Sequence, residues 1–306
     1  MAAKGFKYLA CTAFFSSFLA VSGLCSAKGL KTVEVWKNLF TVVNGDGVDS
    51  NTIFLITRDG VVVVDTRVTP NEAEKVLVEI RKQTNLAIVY TINTHYHGDH
   101  TFGNQIFQSS GSIIAHENVR RSLSGDSGKD HLGSFNSRNI HELDKTVVTP
   151  PTMVFKDEME IFLGGYSLRL IHVRGHTDGD LFIYIKELKT LITGDLVVYK
   201  KIPDMSDAYI EDWISAMNKL GNLDAEIYIP GHGDPGGKPV LLAMRHYLFN
   251  LKTLVLKGLE EGKSLKETQD AARPVLIKKY KGWENLDLID ANIQRAYLEY
   301  SLRKAS

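Results

Sequence analysis

The chain has 306 residues, of which 43% are hydrophobic and 24% are charged, and its 36 basic residues match its 36 acidic ones. This length and composition are those of a globular protein with one large domain or two small ones. A formal charge of zero gives no support to a nucleic-acid partner, and we expect none.

The first 27 residues predict a secretory signal peptide. Lys4 and Lys7 precede an uncharged apolar run that small residues close at Ala27. This order is typical of an export signal. An uncleaved membrane anchor is the alternative, although the run is short for a full span. We expect a periplasmic or secreted protein with no stable membrane association after cleavage. Because Cys11 and Cys25 both lie in this leader, a metal site in the remainder must use nitrogen and oxygen ligands.

Residues 31–65 carry a β pattern, with apolar runs separated by turn signals, and the run VVVVD ends a buried strand at Asp65. Thr69-Pro70 then begins a predicted helix, and the runs LAIVYTI and SIIAH predict two more strands, the second followed by a short helix. The polar, Gly- and Ser-rich segment 123–146 is long for a connection, which predicts a mobile lid.

The second half of the chain alternates further strands with a helix over EDWISAMNKLGNL, and its tail is helical in three pieces divided near Gly262 and Arg273-Pro274. We expect this tail to pack on the core, with a dimer contact as the alternative. Strands with interspersed helices predict an α/β sandwich with a C-terminal helical extension. The predicted divisions are a signal peptide (1–27), a sandwich domain (28–236) and the extension (237–306).

Four polar clusters occur at the ends of the predicted strands, each at or near a glycine that lets the backbone turn. They are THYHGDH (94–100), GHTDGD (175–180), TGD (193–195) and PGHGD (230–234). Histidine and carboxylate ligands without thiolate suit zinc, manganese or iron(II). Seven residues are therefore candidate metal ligands: His95, His97, Asp99, His100, His176, Asp195 and His232. The other five histidines are expected to be capped or solvated: His116, His131, His141, His172 and His246.

The spacing within the first cluster indicates two metal positions. In an extended segment His95 and His97 share one side, and Gly98 lets the chain turn so that Asp99 and His100 face a second position. His176 can complete one site and His232 the other. Asp195 has two oxygens and can bridge them, as in paired-metal hydrolytic sites.

These motifs, in this order, resemble the metallo-β-lactamase superfamily over roughly residues 35–236. The resemblance implies an αββα sandwich with metals held at one edge by loops. It implies that the first metal binds His95, His97 and His176, that the second binds Asp99, His100 and His232, and that Asp195 bridges. It places Asp65 behind the ligands, where it hydrogen-bonds the metal loop.

The resemblance leaves the substrate open, because one fold supports many chemistries. The best-known secreted zinc β-lactamases place a cysteine where Asp195 stands, so the pattern is more like glyoxalase II-type thioesterases, lactonases and phosphodiesterases. We expect an exported dinuclear zinc hydrolase, with iron or manganese as alternative metals. In it a metal-bridging hydroxide attacks an ester, lactone, thioester or amide (including β-lactam) carbonyl of a small molecule. Asp99 would orient the hydroxide or carry the proton.

Two alternatives stay open at this stage. Persulfide dioxygenases share much of the motif set and hold one iron, so an iron oxidoreductase is one, and a non-catalytic metal-binding protein is the other. Candidate substrate contacts are Tyr199, Lys200 and Lys201, which follow the TGD motif where a substrate carboxylate could be met.

Overall fold

The computed structural model describes residues 28–45, 50–135, 140 and 142–305, so the predicted signal peptide lies outside the described residues. Twelve strands occur in this part of the chain: β1 Lys28–Trp36, β2 Leu39–Gly45, β3 Thr52–Thr57, β4 Gly60–Val64, β5 Ile88–Ile92, β6 Ser112–His116, β7 Met153–Phe155, β8 Glu158–Leu163, β9 Tyr166–His172, β10 Leu181–Ile185, β11 Thr190–Val198 and β12 Ile227–His232. The helices of the same residues are α1 Pro70–Gln83, α2 Gly98–Thr101, α3 Asn104–Phe107, α4 Glu117–Ser122, α5 Gly125–Phe135, α6 Ile210–Gly221, α7 Lys238–Glu260, α8 Leu265–Lys279 and α9 Ile289–Ala305.

The strands form two sheets. One has the order β1-β2-β3-β4-β5-β6-β7, and its strands from β4 to β7 run parallel. The other has the order β12-β11-β10-β9-β8, with only β11 and β12 parallel. Polar motifs follow β5 and end β12, and the TGD motif lies within β11 beside β12, so the two sheets can bring these motifs to a common edge.

The two sheets pack face to face, and helices cover their outer faces. Alternating residues of β4 show the division, since Val62 and Val64 enter the core between the sheets while Val61 and Val63 pack under α1. Helix α1 begins at Pro70 with Thr69 as its cap, as the sequence predicts. This four-layer arrangement confirms the predicted αββα fold.

Helices α6 to α9 cover the outer face of the second sheet in one continuous apolar cluster that includes Trp213, Tyr247 and Ile293. The tail is divided near Gly262, as predicted, but the predicted break at Arg273-Pro274 is wrong. Pro274 lies inside α8, and the second break comes after Lys279, over residues 280–288. Burial of Ala272 and Leu276 on either side of the proline stabilises the continuous helix against the cost of the missing N–H.

The expectation of an irregular segment over 123–146 is also wrong in part, because residues 125–135 form α5. Its buried Phe135 packs against Phe102, which follows α2, with ring centroids 5.1 Å apart. This contact stabilises a helix that the glycine and serine content disfavours. Residues 136–139 and 141 of the segment lie outside the described part, so lid movement stays a prediction.

Among the described residues, no helix has both the length and the apolar character needed to cross a membrane.

Candidate metal centre

The structure brings all seven candidate ligands to one edge of the sandwich. His95 follows β5, His97 immediately precedes α2, and Asp99 and His100 lie within α2. His176 lies in the loop between β9 and β10, and His232 is the last residue of β12. Asp195 does not lie at a strand end as the motif suggested. It sits inside β11 at a register shift beside Gly194, whose positive φ of 51° turns the chain there.

The ligand atoms form three overlapping groups, in each of which they lie within 4.8 Å of one another. The groups are His95, His97 and His176; His95, His100 and Asp195; and Asp99, His100 and His232. His97 Nδ1 lies 2.9 Å from His176 Nε2. His232 Nε2 lies 3.1 Å from Asp99 Oδ2 and 3.3 Å from Asp195 Oδ2. Asp195 thus lies between a three-histidine group and an Asp-His-His group, with Oδ2 3.7 Å from His176 Nε2 and 3.3 Å from His232 Nε2.

Asp65 sets the orientation of two ligands at once. Its carboxylate accepts from Thr94 N and Thr94 Oγ1, both at 2.8 Å, and contacts His100 Nδ1 at 2.7 Å. Since the Thr94 hydroxyl donates to Asp65, its oxygen accepts from His95 Nδ1, 3.0 Å away. Both imidazoles therefore carry a proton on Nδ1 and turn Nε2, the atom through which each would bind a metal, toward the centre.

Several of the ligand atoms are buried and lack an ordinary partner. Within the described part of the chain, His95 Nε2 and Asp195 Oδ1 are buried and accept no hydrogen bond. Such groups are costly unless something satisfies them. Nitrogen and carboxylate donors at this spacing fit a pair of divalent cations of the zinc type.

Electrostatics favour the metal-binding protonation state for His95, Asp99 and Asp195, but not for His100. Burial lowers the pKa of His95 well below its usual value, with nearby His100 adding to the shift, so His95 is neutral. Burial alone would raise the pKa of Asp99 and Asp195, but His100 and His232 beside them hold both pKa values well below the ordinary range. Ionised carboxylates beside neutral imidazoles are the states in which these side chains bind metals.

Burial alone would lower the pKa of His100, but the surrounding carboxylates of Asp195, Asp99 and Asp65 raise that pKa well above its usual value. A cation bound there would therefore have to displace a proton from His100.

Close backbone contacts explain the glycines of two motifs. A Cβ on Gly231 would lie 1.9 Å from Asp195 Oδ1, and one on Gly194 would lie 2.5 Å from Thr94 Oγ1. The PGHG turn is also tied to the first sheet, because Asn51 Nδ2 donates to the backbone oxygens of Pro230 and Gly233. These glycines let β11 and β12 approach the histidine loop closely enough to complete the centre.

The sequence did not predict Asp207, which contacts the ring nitrogen of His97 that points away from the other ligands. Its Oδ2 lies 3.1 Å from His97 Nε2 and accepts from the Tyr96 hydroxyl at 2.7 Å. A hydrogen bond from His97 holds the pKa of Asp207 far below its ordinary value. The carboxylate fixes the ring so that Nδ1 faces the centre. Nothing in its surrounding sequence, SDAYIEDW, marks Asp207 as special, since it reaches His97 only through the tertiary fold.

The predicted substrate contacts Tyr199, Lys200 and Lys201 directly follow β11, and the first of them is bonded to the backbone of His232. Tyr199 donates its backbone N–H to His232 O at 2.9 Å, Lys200 is exposed, and Lys201 pairs with Glu284 at 3.0 Å. A role for Tyr199 and Lys200 in substrate binding stays a prediction.

Of the unassigned histidines, His116 and His172 stack on each other with ring centroids 3.6 Å apart. His131 lies beside the centre, with its ring centroid 6.1 Å from that of His97. His141 lies outside the described residues. His246 is exposed. None of the four described residues, His116, His131, His172 and His246, belongs to a ligand group.

The family model described as the metallo-beta-lactamase superfamily matches residues 45–232, which include every candidate ligand. The chain belongs to this superfamily. The resemblance seen in the motifs is thus confirmed, and the family and its relatives support the predicted class of metal-dependent hydrolase.

Three curated relatives illustrate the range of the superfamily. A linear primary-alkylsulfatase of Pseudomonas sp. (strain ATCC 19151) is 24% identical over 212 residues, 58% of this chain and 40% of that protein. A beta-lactamase-like protein 2 homolog of Caenorhabditis elegans is 26% identical over 60% of this chain and 56% of its own length. A metallo-beta-lactamase type 2 of Bacillus sp. (strain 170) is 27% identical over 65% of this chain and 72% of its own. The chain thus spans about half the length of the first two relatives.

Solved structures agree on the fold. The metallo-beta-lactamase from Pontibacter korlensis superposes with a TM-score of 0.61 at 20% identity, covering 72% of this chain and 99% of that one. At this identity the likeness establishes the shared fold and leaves the substrate to be argued from the site.

Proposed function

We propose that this protein is an exported hydrolase with two zinc ions that cleaves an ester, lactone, thioester or amide bond of a small molecule. The observation that carries the proposal is the single cluster in which Asp195 lies between two groups of buried ligands. Two groups of ligands joined by one carboxylate are the arrangement expected of a paired-metal hydrolytic site.

The side chains would divide the work as follows. One cation would be held by His95, His97 and His176, and the other would be held by Asp99, His100 and His232. Asp195 would contact both cations. Two cations, when bound, polarise the scissile group and lower the pKa of water. Asp99 borders the site with a side chain that is 9% exposed, so it can orient the attacking water and pass its proton to the leaving group.

Elemental analysis of the protein purified without added metal, beside the Asp195→Ala variant, tests this proposal. We expect about two zinc ions per chain, from the two groups that Asp195 joins, and a clear loss in the variant. A zinc-loaded sample would then be screened against lactones, thioesters, β-lactams and, because one relative is named an alkylsulfatase, sulfate esters. One iron per chain, unchanged in the variant, would overturn the proposal and favour the persulfide dioxygenase alternative.

Export is the second part of the proposal, and the leader composition supports it. Amino-terminal sequencing of the protein from cell fractions tests it: a start at Lys28 in the periplasm or medium is expected, whereas an intact leader in the membrane fraction would favour the anchor.

A further inference from the structure

A cavity of about 610 Å³ adjoins the metal centre on the side of His97. Its inner wall includes Tyr96 and Asp207, the two residues joined by a hydrogen bond next to that ligand. The outer walls come from three distant parts of the chain: α4 and α5, the loop before α6, and α9. The cavity is thus placed to hold a part of the substrate that extends away from the metals.

The cavity is lined by two arginines and two aspartates, and of the two arginines only Arg121 is paired with a carboxylate of the described residues. Asp207 is engaged by His97 and Tyr96, and Asp178 pairs with Arg121 at 2.8 Å. Arg295, which α9 contributes, donates to Ala208 O. Among the residues that the structure describes, no carboxylate lies within 4.0 Å of the Arg295 guanidinium. The guanidinium has five donors, and those not bonded to Ala208 therefore have no acidic partner in the described part of the chain.

The remaining lining is suited to an oxyanion. Ser122, Ser127 and Ser206 bring hydroxyl groups, and His131 brings an imidazole. Arg121, which α4 contributes, also lines the cavity, and its side chain is 64% exposed and pairs with Asp178. Arginine presents a planar fork that binds carboxylate, sulfate or phosphate oxygens in pairs.

We propose that this cavity binds an anionic group at the end of the substrate remote from the scissile bond, with Arg295 as its main contact and Arg121 as its second. The inference rests on the proposed hydrolase function and narrows it to acidic substrates. The anion is a carboxylate, a sulfate or a phosphate, since the three share the geometry that the guanidinium recognises.

The test compares two chromogenic esters that differ only at the end of the acyl chain, where one carries a carboxylate and the other a carboxamide. Wild type should show the lower KM for the carboxylate ester. Arg295→Gln should raise that KM about tenfold, while the carboxamide ester changes less than about twofold. Arg295→Lys should recover part of the loss, because lysine keeps the charge without the fork.

Two controls separate recognition from folding. Arg245→Gln removes an arginine of α7 that does not line the cavity and should change neither ester. Arg295 also donates to Ala208 O, next to Asp207, which contacts the candidate ligand His97. The metal content of each variant is therefore measured as well. An equal loss on both esters, or a loss of metal, would assign Arg295 a structural role and overturn the proposal. Arg121→Gln supplies a second variant, with a smaller increase of KM expected for the carboxylate ester alone.

A binding measurement keeps the inference separate from the function. Inorganic sulfate, inorganic phosphate and acetate are titrated calorimetrically into the metal-loaded wild type and Arg295→Gln. An affinity that drops about tenfold in the variant supports the cavity even where no ester is hydrolysed, and the preferred ion identifies the anion. The cavity proposal would be refuted if wild type hydrolysed both esters with the same KM and if wild type and Arg295→Gln bound the ions equally. The proposed hydrolase function would still stand in that case.

Discussion

Replacing Asp65 with asparagine tests how the two histidine orientations are set. Asparagine keeps the shape of the side chain and tolerates the left-handed backbone of this position, where φ is 60°. Its amide has one acceptor oxygen, whereas the carboxylate of Asp65 faces three donors, two from Thr94 and one from His100. In either orientation the amide NH2 group therefore faces a donor.

Each orientation has a measurable cost. If the NH2 group faces Thr94 N, a buried donor loses its acceptor, which lowers the free energy of unfolding by about 1–3 kcal/mol. If it faces His100 Nδ1, that ring accepts the hydrogen bond by moving its proton to Nε2, the atom that should bind metal. Loss of such a support weakens metal affinity by about 10–100-fold.

We expect Asp65→Asn to bind zinc about 10–100-fold more weakly in competition with a chromophoric chelator. Urea unfolding of the metal-free protein gives the stability difference separately. Asp224→Asn is the matched control, because Asp224 is exposed and pairs only with Lys189 on the surface. Zinc affinity within twofold of wild type, with unchanged stability, would refute the orientation argument.

Three further predictions follow from named contacts. In Gly231→Ala the new Cβ would lie 1.9 Å from Asp195 Oδ1, so Asp195 should be displaced. Elemental analysis of the purified variant should then show a loss of metal. Gly29→Ala is the control, because a Cβ there meets nothing within 4 Å and the metal content should not change. Asp207→Asn removes the charged acceptor of His97 and should weaken metal binding about tenfold or more in the same chelator assay, and an unchanged affinity would exclude a positioning role. Burial and the adjacent His172 lower the pKa of His116 to about 4. The unfolded chain therefore takes up a proton near pH 6.5 that the folded protein resists, so stability should fall as pH drops from about 6.5 to 4. His116→Asn keeps a capping acceptor for α4 and should show a shallower fall in urea unfolding across this window, and an equal fall would contradict the assignment.

The seven candidate ligands could be selected from sequence because the pattern that marks them is local. Three of them lie within four positions of His97, and each of the others occurs beside a glycine in a short motif. Asp207 and Arg295 could not be predicted, since each acts on a partner far along the chain, and neither has a distinctive neighbourhood.

Secondary structure was predictable where local pattern and burial agree, as in α1 with its Thr69 cap. The prediction of secondary structure was wrong where tertiary packing overrides the intrinsic propensity of the residues. Phe135 stabilises α5 in a segment rich in glycine and serine, and buried neighbours carry α8 through Pro274.

The ligands of the centre come from both sheets, and this has a consequence for how the protein folds. His95 and His100 follow β5 of the first sheet, while Asp195 and His232 belong to β11 and β12 of the second. Neither half offers a complete site, so the ligands converge only after the long intervening chain has closed and the sheets have docked, which is a slow, non-local step. A cation bound between the two docked sheets would slow unfolding. It would not speed folding, because the site that binds it forms only after the sheets have docked.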